Sequence, residues 1–285
     1  MSNPVFSSSP VFGDPRKQKQ GQPGAVQTYG MPGAQTADAA SLENLYTAPS
    51  ATSAQMRRMT YDDVVVKTGG LLALLVVVAA ATWAVTPQLP WLYLPAALVG
   101  LVLGLVNSFK KNPSPALIVA YTIAEGVFLG GISYLFQNLA VQGSSTGTAQ
   151  PIVLQAVLGT FVTFAASLIL FRSGKVRVTP KFTRWLLIAM VGYLGFSLVN
   201  VLLMLVMPGS AWGPLRNGPW GIIAGLVAVG LAAASLIVDF DSIKRGVEQG
   251  VPAKFAWTAA FGLIVTLVWL YLELLRLFSI LSGRN

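Results

Sequence analysis

Seven stretches of this chain are too apolar and too long to be read as anything but membrane-spanning helices. They cover roughly 64–86, 90–109, 114–139, 151–171, 182–207, 220–241 and 255–281. Each reaches the length of about 20 residues that a helix needs to cross bilayer hydrocarbon. Open strands would leave backbone donors and acceptors unsatisfied in lipid, so helices are expected. Turn chemistry separates the segments: "TPQLP", "KKNPSP", "QGSSTGTAQP", "RSGKVRVTP", "MPGSAWGPLRNGP" and "KRGVEQGVP". Only 10% of the residues are charged, against about 25% in soluble domains. The expected fold is an all-α membrane protein, seven transmembrane helices packed as a compact bundle over 60–285.

Residues 1–59 differ in kind. They are rich in Gly, Pro, Gln, Ser, Ala and Thr, as in "GQPGAVQTYGMPGAQTADAA", and such a segment buries too little apolar surface to offset its ordering entropy. A disordered cytoplasmic tail is expected there, with "NPVF" at 3–6 echoed by "SPVF" at 9–12. The bundle begins at "TYDD", where Thr60 can cap a helix whose first turn carries Asp62 and Asp63. With the N-terminus inside, every basic residue except Arg216, Arg276 and Arg284 falls to the inner side, as the positive-inside rule asks. The expected location is the cell membrane, with the C-terminus outside. That distribution accounts for the net charge of +9 as topology, and nucleic acid is not an expected partner. Gly100 with Gly104, Gly126 with Gly130 and Gly221 with Gly225 stand one helical turn apart and allow close helix contact within the chain.

Few functional groups remain. The chain has neither cysteine nor histidine, which removes thiolate chemistry, the commonest metal ligands and the usual neutral-pH titrating side chain. Serine and zinc proteases ordinarily want a histidine. No second aspartate motif offers an aspartyl-protease cleft, and no phosphate-cradling glycine loop occurs. Lys67, near the entrance of the first helix, is the only candidate for a retinal lysine. The expectation is therefore no enzyme and no cofactor.

Four acids fall within or at the edge of apolar segments: Glu125, Asp239, Asp241 and Glu273. A charge at the bilayer centre costs about 2.5–3.5 kcal/mol on insertion scales, and such residues mark pathways or relays. Glu125, in "YTIAEGVFLGG", stands near mid-depth with no basic residue on its helix; burial without a cation favours the neutral acid. Glu273, in "LVWLYLELLRLFSIL", has Arg276 three residues on, so either an intrahelical ion pair or an outward-snorkelling arginine is open. Asp239 and Asp241, in "SLIVDFDSIKRG", are about 200° apart around a helix. Asp241 has Lys244 and Arg245 within reach and Asp239 has no cation there. Both are expected at a helix C-terminus, forming an acidic, cation-attracting mouth.

"YTIAEGVFLGGIS", the seven-segment hydropathy, "DFDSIK" and "LYLELLRLFSIL" together resemble the transmembrane BAX inhibitor motif (Bax inhibitor-1) family in its bacterial branch, over about residues 60–285. The resemblance implies a pH-sensitive calcium leak channel whose pore is held closed by an aspartate pair between the sixth and seventh helices. It would place Asp241 and Glu273 in that pair, with glutamate in place of the second aspartate and a longer connection between the two. Simple depth counting instead leaves the sixth-helix aspartates and Glu273 on the order of 10–15 Å apart. Glu125 with Glu273, at similar depth, is the second candidate pair. The resemblance also implies an alternative: a non-transporting protein that modulates a membrane protease or another partner through its tail.

Overall fold

The structure, a computed structural model, describes residues 57–143, 151–174, 176, 178–207, 213–216 and 218–282, with side chains to 138 in the first of these stretches. The tail reading and its repeated motif lie outside the described residues, apart from residues 57–59. Seven α-helices occur among the described residues: α1 Tyr61–Val85, α2 Tyr93–Phe109, α3 Pro115–Gly143, α4 Ile152–Arg172, α5 Pro180–Val206, α6 Gly218–Glu248 and α7 Ala256–Ser282. Six are long and apolar enough to cross a membrane.

The exception is α2, expected over 90–109. At 17 residues it is about 25 Å long, short of the hydrocarbon thickness of about 30 Å. Leu92 N–H turns back to the Leu89 carbonyl at 3.2 Å, so residues after Pro90 form a turn before the helix starts. Lys110 and Lys111 follow its end, and their long stems can reach the interface and offset the shortfall.

Local chemistry sets the other ends. Thr60 and Asp63 form a reciprocal capping box at the start of α1, with Asp63 N–H donating to Thr60 Oγ1 at 3.2 Å and Thr60 N–H to Asp63 Oδ2 at 3.1 Å. Thr179 caps α5 ahead of Pro180, a residue suited to the first helical turn. The sixth helix, expected to stop at 241, runs on to Glu248. Asp241–Arg245 and Lys244–Glu248 ion pairs carry it through two further turns. It then closes in a Schellman motif: Val251 N–H reaches the Gly246 carbonyl and Gly250 N–H the Val247 carbonyl, with Gly250 at φ +66°.

The last helix is the core. In its apolar window 78% of residues are buried, against 11% for α5 at the periphery. Around α7 stand α6, α4, α1 and α3, while α2 packs on α3 and α5 on α6. The glycine pairs lie in these seams. A Cβ at Gly126 would meet Val78 Cβ at 2.8 Å, and one at Gly225 would meet Leu277 Cδ1 at 3.0 Å. The small residues therefore serve α1–α3 and α6–α7 packing within one chain, as expected.

The chain start and the α6–α7 connection meet. Met59 N–H donates to the Val251 carbonyl and Ala253 N–H to the Arg57 carbonyl, both at 2.7 Å. Lys254 reaches Asn112 in the α2–α3 connection at 3.3 Å. Arg57, Arg58, Lys110, Lys111 and Lys254 consequently gather at one end of the bundle.

Candidate functional site

The four acids fall into four environments. On α6, Asp239 has no exposed surface and faces α7. Thr266 Oγ1 stands 2.7 Å from Asp239 Oδ2 and 3.2 Å from the Gly262 carbonyl one turn back. A hydroxyl has one proton and two acceptor sites. Thr266 can therefore donate to an ionised Asp239, or accept from a protonated one while turning its own proton to Gly262. The contact survives either protonation state with its direction reversed.

Asp241 points elsewhere, as its angular offset requires. Its carboxylate pairs with Arg245 at 2.9 Å and the side chain keeps 20% exposure. The expectation that both aspartates sit at a helix C-terminus is corrected. The helix continues to Glu248, so its end lies about 13 Å beyond Asp239. The two side chains diverge, and among the described residues no group of three or more acids could hold a metal ion.

Glu273 lies two turns beyond Thr266 on nearly the same face of α7, about 10 Å along the axis. Its carboxylate pairs with Arg276, both side chains being more than nine-tenths buried, so the intrahelical ion pair forms and Arg276 does not snorkel. Tyr193 of α5 donates its hydroxyl proton to Glu273. The same hydroxyl accepts from Arg216 at 2.8 Å, and Arg276 lies 3.4 Å away. Arg216 also stacks over the Tyr193 and Phe196 rings at 5.1 and 5.5 Å. One carboxylate, two guanidiniums and a phenol thus tie α7, α5 and the turn before α6 together.

Glu125 belongs to neither group. It shares a hydrogen bond with Tyr121, and its Oε1 would lie 2.9 Å from a Cβ built on Gly100. It therefore fills the α2–α3 seam, and the structure does not bring Glu125 to Glu273. Nor does it pair Asp241 with Glu273, because the residue of "DFD" that faces α7 is Asp239.

Sequence reasoning missed Thr266, Tyr193 and Arg216. Thr266 and Tyr193 each had a faint signal, as a polar tip inside an otherwise apolar helical segment. Arg216 had none beyond being a lone basic residue on the side otherwise poor in them.

These features define a multi-pass helical membrane protein whose central last helix carries buried ionisable groups. Its family is shown as well: the model of the Bax inhibitor 1 like family matches residues 3–283, and the chain belongs to that family. The match extends beyond the bundle into the N-terminal segment. No curated protein matches the chain.

Proposed function

We propose that this protein is a pH-sensitive cation leak of the cell membrane, calcium being the ion the family resemblance implies, and that it is not an enzyme. The observation that carries the reading is the α6–α7 seam. A fully buried aspartate stands against a threonine able to bond it in either protonation state, with a buried Glu273–Arg276 pair stacked farther along the same face.

The described arrangement is the closed one in this proposal. Asp239 sits fully buried in the seam against Thr266. Ionised, it incurs the penalty of a buried carboxylate, which water or a cation entering the seam relieves. Oxygen-rich surroundings, with the Thr266 hydroxyl and the Gly262 carbonyl adjacent, suit a hard cation such as calcium. Asp241, at the more exposed inner end, would attract cations toward the seam. The Glu273–Arg276–Tyr193–Arg216 cluster closes the other half. Protonating Glu273 would leave Arg276 without its carboxylate and weaken the acceptor of the Tyr193 hydroxyl that Arg216 also holds, loosening that closure. Ionising Asp239 and protonating Glu273 therefore both favour opening, from opposite sides of the pH scale. Glu125 serves packing. The gathering of basic residues at one end supports a cytoplasmic N-terminus and an external C-terminus.

The test is calcium flux into liposomes holding the purified chain, scanned from acid to alkaline pH. Asp239→Asn, neutral at every pH, is expected to lower flux and remove the alkaline rise. Glu273→Gln is expected to raise resting flux and remove the acid rise, and Glu125→Gln to leave the profile as in wild type. Flux no greater than in empty liposomes at every pH would refute the leak. The alternative role, modulation of a membrane protease or other partner, draws support from the family match beginning at residue 3. Deleting 1–56 would abolish that role while leaving flux intact.

A further inference from the structure

On the side of α7 away from Asp239 lies a cavity of about 600 Å³. Its floor is α3 and α7 and its walls are α1 and α4, which share no packed seam with each other. Val76 on α1 and Leu154 and Phe161 on α4 line it and are 50–56% exposed at the bundle surface. The cavity therefore opens sideways between these helices. The lining spans Leu72 to Trp83 on α1, about 16 Å, close to half of a hydrocarbon core of about 30 Å. On α1, α3 and α4 it lies mainly in the half remote from the basic connections, and on α7 it lies at the middle, from Ile264 to Tyr271.

Its lining is apolar, and the polar side chains within it are partnered inside the protein. Ser133 and Tyr271 share a hydrogen bond of 2.6 Å, Thr160 bonds the Ala156 carbonyl at 2.8 Å, and Gln137 has a partner within the chain. Water needs several polar partners to settle in a cavity, and this lining offers it few. Left empty, the walls would forfeit dispersion contacts. The exposed apolar faces of α1 and α4 run directly into the opening, so the surrounding hydrocarbon is continuous with it.

We propose that this groove is a binding site for one acyl chain of a bilayer lipid, taken laterally between α1 and α4 from the leaflet at the α3–α4 connection. Length, depth, apolar lining and the lateral opening select a lipid tail over a water-soluble ligand. The site does not depend on the chain being a leak.

The test uses the full chain reconstituted in phosphatidylcholine vesicles whose acyl chains are brominated at mid-length. Bromine quenches tryptophan on contact, and Trp83 lines the groove. The part of the emission lost on Trp83→Phe substitution should be strongly quenched, at a lower fraction of brominated lipid than the emission of lipid-facing Trp185. In parallel, native mass spectrometry after exhaustive detergent exchange should find one retained lipid per chain. Filling the groove with Ala80→Phe and Val157→Phe should lower retention by about tenfold, the loss expected for displacing two methylenes of chain. Equal quenching of Trp83 and Trp185, no retained lipid, or unchanged retention in the filled variant would overturn the proposal. So would a dimeric mass with no lipid, which would place a second copy of the chain in the groove. Where the filled variant does not fold, the Trp83 quenching decides alone.

Discussion

Two aspartates separated by one phenylalanine have opposite fates because a helix turns about 200° between them. Asp239 is sealed against α7 and Asp241 is solvated beside Arg245. Their substitutions should separate accordingly. Thr266→Val leaves Asp239 without its hydroxyl partner and is expected to cost about 1–3 kcal/mol, with Thr266→Ser restoring most of it. Asp241→Asn removes only an exposed pair and should cost no more than about 1 kcal/mol. Arg276→Gln strands a buried carboxylate, a change of about 3–5 kcal/mol, while the double change Glu273→Gln/Arg276→Gln should recover much of the loss. Thermal unfolding in one detergent would rank the five variants. A Thr266→Val protein as stable as wild type would show that the Asp239 contact contributes nothing.

At the scale of elements, seams decide more than propensities. Gly126 lets α3 approach α1 so closely that an added Cβ would meet the Val78 side chain. Gly126→Ala is thus expected to destabilise by about 1–3 kcal/mol through overpacking. Gly100→Ala meets only the end of the Glu125 side chain, which can swing aside, and should cost less. Comparing the two melting temperatures checks whether seam geometry or helix propensity dominates. If propensity ruled, both alanines would stabilise, since alanine is the better helix former by about 0.8–1.0 kcal/mol. The capping box at Thr60 was legible because its spacing is local. The extension of α6 past Asp241 was not, because a polar "DSIKRGVE" run reads equally as a loop or as a helix laced with i,i+4 pairs.

For the molecule as a whole, the absence of cysteine gives a clean background for labelling. Lys111→Cys and Lys254→Cys should react with an impermeant thiol reagent from the same side, because the two connections touch. Gln88→Cys, at the other end of α1, should react from the opposite side. Labelling of all three from one side would overturn the placement of these connections.

Hydropathy determined the class of this protein by itself. Runs of about 20 apolar residues admit only helices in lipid, and glycine spacing and capping residues are local signals that need no fold to be read. The sequence also narrowed the candidate site to four acids, since so few ionisable groups occur in its apolar segments. Which acids face one another was decided by tertiary structure alone. Pairing depends on the rotation and axial stagger of each helix against its neighbours, and those are set by side chains far apart in the chain, such as Gly225 against Leu277 and Gly100 beside Glu125. The same packing placed Tyr193 on Glu273 and Arg216 on Tyr193, and left the groove between α1 and α4 open to lipid. Neither has any counterpart in the order of residues.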